Sequence, residues 1–226
     1  MNAVDTVTEL KLEENLPYHA IKGPTPSVLA DIYRHDSNIV VWQRDLSDEL
    51  KHSVSNFLKH QSTRSRLLTV TPENTQEVLK EVFGEAEMIR SLYEDIALVV
   101  DMFCCLFELS HAGLRLTILD SAMCPRFHVD HVPCRLVTTY QGIATEWLNH
   151  ETTDRTKLGA GNQGKTDELS GLFKSQHDVN RLTEGDVALL KGENWDECSG
   201  TGLVHRSPQV AENERRLLLT LDFISN

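Results

Sequence analysis

Basic residues are in short supply: 22 Lys and Arg stand against 34 Asp and Glu, a formal charge of -12, and no run of cations offsets this locally. Such a field repels phosphate backbones and anionic lipid, so neither nucleic acid nor a membrane surface is an expected partner. Long apolar runs are missing too. The most apolar stretch, residues 96–109, is interrupted by Asp101 and Glu108 and is too short to cross a bilayer, so it reads as a buried helix. The opening residues MNAVDTVTELKLEENL contain no basic start followed by an apolar block; no signal peptide is expected, and the chain is assigned to the cytoplasm. Cysteine is sparse and odd in number. Cys104, Cys105, Cys124, Cys134 and Cys198 lack metal-finger spacing, and a reducing compartment would leave all five as thiols. Internal repeats and low-complexity tracts are absent.

What the chain does have is enough apolar content, 40% of 226 residues, to build a core. After an irregular segment over residues 1–25, residues 26–113 read as α-rich with a few strands. A short helical pattern runs from Ser27 to Arg34, and a strand-like run follows from Asn38 to Gln43. Ser47, followed by Asp48 and Glu49, caps a helix reaching about His60. Residues 66–71 form a strand pattern, and residues 74–83 a helix that stops at Gly84. Met88, Leu92, Ile96, Val99, Phe103 and Leu106 then recur at three- and four-residue steps, predicting a long amphipathic helix that ends near Gly113.

From residue 114 the texture changes. Short β-prone runs separated by turn residues cover 114–121, 134–142, 179–192, 202–208 and 215–223, the pattern of a sandwich or barrel. The fold class is therefore α+β: a jelly roll over residues 114–226, with the α-rich region on its outer face. Residues 149–178 interrupt it as a long, polar, glycine-bearing insertion. Such a loop suits a lid, and its composition predicts a mobile segment without apolar anchors.

His128 and Asp130 lie two residues apart, so in an extended chain they point to the same side and reach one ion. A third ligand is available in His205, inside a later predicted strand. Two imidazoles and one carboxylate leave the other positions of the metal open, as a non-haem Fe(II) oxygenase needs for O2 and a co-substrate; a closed structural site would use four protein ligands. His131 points away from this pair. Residues 159–166 fit the phosphate-loop pattern GxxxxGK[ST], but the polar flanks supply neither the entering strand nor the apolar helix that such a loop requires.

The companions of the HxD pair fall in a recognisable order: a strand directly after it, a Gly185-Asp186 turn leading into VALL, His205, and then Arg215 and Arg216 ten and eleven residues later. This half resembles the double-stranded β-helix of the Fe(II)/2-oxoglutarate-dependent oxygenases. More narrowly, FHVDHVPCRLVTTYQGIATEWL, EGDVALLKGENW, GLVHRSP and RRLLLTLDF resemble an uncharacterised bacterial domain-of-unknown-function family (number 1826), over most of the chain after about residue 35. The resemblance implies a cupin-like jelly roll with Fe(II), or Zn or another divalent metal, held by His128, Asp130 and His205. It also implies 2-oxoglutarate, paired through its distal carboxylate with Arg215 or Arg216. Arg215 shares a strand face with Leu217, Leu219, Leu221 and Phe223, the more apolar side, and is the expected one to face inward.

Arg135, Thr138 and Tyr140 can reach the co-substrate or serve as a packing face, and Trp147 and Trp195 can line the pocket or the core. The function expected is oxidation of a small-molecule or protein substrate using 2-oxoglutarate and O2. Two alternatives stand beside it: a non-catalytic metal-binding or metal-homeostasis protein on the same scaffold, and a Zn-dependent hydrolase.

Overall fold

The structure is a computed structural model that describes residues 18–61, 65–195 and 200–224. Cys198 and most of the expected irregular N-terminal segment lie outside these residues. In chain order the strands are β1 (Ala20–Gly23), β2 (Ile39–Trp42), β3 (Ser65–Val70), β4 (Ala112–Leu119), β5 (Cys134–Gln141), β6 (Glu146–Leu148), β7 (Val179–Arg181), β8 (Val187–Lys191), β9 (His205–Arg206) and β10 (Arg216–Asp222). The helices are α1 (Asp48–His60), α2 (Thr75–Phe83), α3 (Arg90–Leu106) and the one-turn α4 (Asp167–Ser170).

Local chemistry sets these limits. Ser47 accepts a hydrogen bond from the Leu50 amide at 3.2 Å to open α1, with Asp48 and Glu49 in the first turn and Lys59 and His60 in the last. Gly84 ends α2 with φ at +91°, a conformation that L side chains resist. The long helix is shorter than its periodicity predicts. Glu87–Ile89 form a 3-10 turn before it, Met88 is exposed, and Glu108 takes φ of +52° just past its end, freeing residues 112–119 for a strand.

Seven strands make the major sheet in the order β1-β2-β8-β5-β10-β4-β3; apart from the parallel β1–β2 pair, its neighbours are antiparallel. A minor sheet, β7-β6-β9, faces it, and an antiparallel bridge between His128 and His205 adds the HxD segment beside β9. This is a jelly roll. The region expected to be α-rich and external also supplies strands to the major sheet, with β1 and β2 at one edge and β3 at the other.

One face of the major sheet packs on the helices. Leu114, Leu116, Ile118, Leu136, Tyr140, Leu189, Leu217, Leu219 and Leu221 share a core with Val54, Phe57, Leu92, Ile96 and Phe103. A polar tie crosses the same interface: Asp95 of α3 accepts two hydrogen bonds from Arg44 at 2.7 and 2.8 Å, and one from the Tyr140 hydroxyl at 2.7 Å. The other face meets the minor sheet through Ile39, Val41, Val137, Trp147, Leu182, Ala188 and Leu203.

Residues 149–178 do not match the expectation of a segment without apolar anchors. Leu172 and Phe173 are buried, and they pack with Phe127, Leu148 and Val204 on the outer face of the minor sheet. Short 3-10 turns (His150–Thr152, Arg155–Lys157, Gly159–Asn162 and Gln176–Asp178) carry the chain between these anchors. The phosphate-loop-like residues 159–166 sit in exposed or half-buried turns, and the helix that follows is only the four-residue α4.

Candidate metal centre and anion cradle

Two glycines fix the HxD segment from behind. A Cβ at Gly192 would lie 2.1 Å from the Val132 carbonyl and 2.6 Å from that of Asp130, and one at Gly202 would lie 2.6 Å from a Val129 methyl. The chain therefore lies closely against the end of β8, and the Glu193 amide donates to the Asp130 carbonyl at 2.9 Å. On the other side, His128 and His205 exchange backbone hydrogen bonds of 3.0 and 2.9 Å. Strand pairing thus places the two imidazoles side by side, with ring centroids 4.7 Å apart.

Each imidazole is oriented through its Nδ1. That of His128 lies 2.9 Å from the Arg126 carbonyl and that of His205 lies 3.1 Å from the Leu203 carbonyl, so both Nδ1 atoms are donors and both Nε2 atoms are left available to ligate an ion. Asp130 closes the group, with Oδ1 3.6 Å from His128 Nε2 and Oδ2 3.3 Å from His205 Nε2. The potential ligand atoms of the three residues all lie within 4.8 Å of one another, which suits one divalent ion with open positions. Burial opposes ionisation of Asp130, yet His128, His205 and Arg135 hold its carboxyl far below the usual range; the Asp130 carboxylate in turn raises the pKa of His128 against the opposing effect of burial.

The two arginines of the last strand part company. Arg215 donates to the Leu58 carbonyl, and to that of Gln61 at 3.3 Å, so it binds the C-terminal end of α1 outside the barrel. Arg216, fully buried, is the one that enters the space between the sheets. The expected orientation is therefore reversed. Apolarity misled because both faces of β10 are buried: Leu217, Leu219 and Leu221 against the helices, and Arg216 and Asp222 on the polar face that lines the site.

Arg216 donates to Ser207 Oγ at 3.0 Å, Thr139 Oγ1 at 3.1 Å and Thr145 Oγ1 at 2.9 Å. No carboxylate is paired with it among the described residues, and its Nε has no partner. Burial without a counter-charge pulls its pKa down to about 10.

Strand parity locates the other candidates. Arg135, Val137 and Thr139 of β5 face the minor sheet, whereas Thr138 and Tyr140 point to the helix layer, where Tyr140 meets Asp95. Arg135 reaches Asp130 and Asp222. Trp147, opposite His205 in the β6–β9 register, is an interior residue whose indole N–H has no partner; Trp195 packs with Tyr33 and Phe107 on the helix side. His131 is exposed. Thr139, Thr145 and Ser207 are not among the expected site residues, although alternation along the strands leads to them, four residues on from Arg135, two before Trp147 and two after His205; Asp222 lies on the Arg216 side of the last strand, as alternation predicts.

Comparison with solved structures supports the same architecture. The crystal structure of the dioxygenase for auxin oxidation in rice is similar at a TM-score of 0.51 and 11% identity, over 92% of this chain and 83% of that one; at this identity the likeness is one of fold. Lower scores relate the chain to JOX2 in complex with 2OG, Fe and JA (0.47, 9% identity, 93% and 77% covered) and to a Pseudomonas putida prolyl-4-hydroxylase (0.44, 11%, 89% and 98%). No curated protein sequence matches the chain. A family model does match, over residues 23–222, a span that contains all three ligand candidates and the buried arginine; the chain belongs to the family described as "Protein of unknown function (DUF1826)".

Proposed function

We propose that this protein is a non-haem Fe(II) oxygenase that takes 2-oxoglutarate and O2, with iron held by His128, Asp130 and His205 and the co-substrate's distal carboxylate held by Arg216. One observation carries the reading: a fully buried guanidinium in the same interior as the ligand triad, surrounded by hydroxyls and paired with no carboxylate among the described residues. A buried cation in this state is unfavourable unless an anion completes it. The planar fork of arginine suits a carboxylate, and the free Nε is a donor still unused. A bare metal binder has no need of such a cradle.

Bound together, iron and 2-oxoglutarate would supply the oxidising chemistry, in which O2 is divided between succinate, formed with loss of CO2, and the oxidised substrate. The protein's own residues bind and orient. The Arg126 and Leu203 carbonyls hold the imidazoles in the ligating tautomer, and Ser207, Thr139 and Thr145 hold the guanidinium in place.

The test is an anaerobic titration of 2-oxoglutarate into the iron-loaded protein. Arg216→Leu should retain iron and bind 2-oxoglutarate about ten- to a hundredfold more weakly, the scale of a hydrogen bond to a charged group, roughly 1.5–3 kcal/mol. Arg215→Leu should bind as wild type does. Absence of binding by wild type, or equal loss in both variants, would sink the proposal.

A further inference from the structure

Asp130 is not free to turn. Arg135 donates from Nη1 to its Oδ2 at 2.6 Å, and the same guanidinium is clamped from the other side by Asp222, with Nε to Oδ1 at 2.7 Å and Nη2 to Oδ2 at 2.9 Å. The two-point clamp lies within the sheet, because Asp222 and Arg135 are register partners of β10 and β5. A guanidinium held by two parallel hydrogen bonds has little freedom, so its Nη1 is aimed at Asp130 in a fixed direction.

We infer, resting on the oxygenase reading above, that Arg135 is a positioning residue that keeps Asp130 a one-oxygen ligand by engaging one of its two carboxylate oxygens in a fixed hydrogen bond. The coordination arithmetic gives this contact its importance. Two imidazoles and one carboxylate oxygen fill half of an octahedral ion, leaving room for a chelating 2-oxoglutarate and for O2. A chelating Asp130 would still admit 2-oxoglutarate and would take the position that O2 requires. Loss of Arg135 also removes a cation beside the metal, so iron affinity should hold or rise.

Crystal structures of the cobalt-loaded protein test the geometry without co-substrate. Wild type should show one Asp130 oxygen bonded to the metal and Arg135→Met two, while Arg135→Lys, which keeps a donor, should restore one. Nitric oxide, an O2 surrogate, then tests the consequence: with iron and saturating 2-oxoglutarate, the nitrosyl resonance of Arg135→Met should fall at least tenfold below wild type. Should Arg135→Met fail to fold, Arg135→Gln, too short to make the contact, carries the same expectation.

Two bonded oxygens in wild type, one in the truncated variant, or an undiminished nitrosyl signal would overturn the assignment. Loss of the metal from the variant would also overturn it, since Arg135 would then be supporting the ligand set itself. If the cobalt geometries come out as expected and wild type binds no 2-oxoglutarate, the Arg135 assignment stands and the oxygenase reading falls.

Discussion

A single step at the start of β10 separates an arginine bound to α1 from one buried between the sheets. Arg215 and Arg216 are neighbours in sequence with identical side chains, yet one meets two carbonyls at the end of α1 and the other enters the barrel. The three proposed ligands carry a sharper expectation. Each supplies one of three donors, so His128→Ala or Asp130→Ala should lose stoichiometric metal while the strands persist, because the backbone bridge between residues 128 and 205 needs no side chain. Metal content and circular dichroism on the same samples check this, and unchanged metal would refute the ligand set. The HxD pair was legible because period-two spacing needs no knowledge of the fold. The choice of arginine was not, because a face that lines a site is buried without being apolar.

Short elements are tied together by contacts that composition alone conceals. Leu172 and Phe173 are two apolar residues in a long polar stretch, and both are buried against the minor sheet. The insertion should therefore resist limited proteolysis without ligand. Phe173→Ala, a change that costs about 3–5 kcal/mol at a packed site, should open it to cleavage; a wild-type segment cut as fast as the variant would count against the anchoring. Beside it, Glu146 of β6 accepts from Arg181 of β7 and from Arg206 of β9, linking all three strands of the minor sheet. Burial opposes its ionisation, but the two guanidiniums prevail and hold its pKa below the ordinary value. A depressed folded pKa means that the stabilisation is complete above the unfolded carboxylate pKa, about 4.3, and is lost as pH falls through the folded one. Glu146→Gln should accordingly flatten the fall in melting temperature between about pH 6 and about pH 3, and an unchanged slope would show that other carboxylates dominate. The long elements could be read from periodicity. Strands of two to four residues such as β1, β6 and β9 are too short to show a period, and pairing with neighbours defines them.

At the scale of the whole molecule, one core joins the helices to the jelly roll, from Leu29 to Leu221, and no helix among the described residues is long and apolar enough to cross a membrane. Composition showed the change of texture near residue 114 but not that β1, β2 and β3 complete the same sheet, since non-local pairing leaves no mark on a local pattern. Because site and core share β5 and β10, events at Arg216 reach the stability of the entire fold. Arg216 is buried among hydroxyls with no carboxylate paired to it among the described residues, so under the proposed function an anion that pairs with it should stabilise the native state. Under the proposed function, 2-oxoglutarate at about a hundred times its Kd would add about 2.7 kcal/mol. The melting temperature of the iron-loaded, oxygen-free protein should rise with 2-oxoglutarate in wild type and stay flat in Arg216→Leu. In a cell, the unfolded fraction is what proteases remove, and a shift of this size changes that fraction by about two orders of magnitude. The supply of 2-oxoglutarate would then govern how long each copy of the protein survives as well as how fast it turns over substrate.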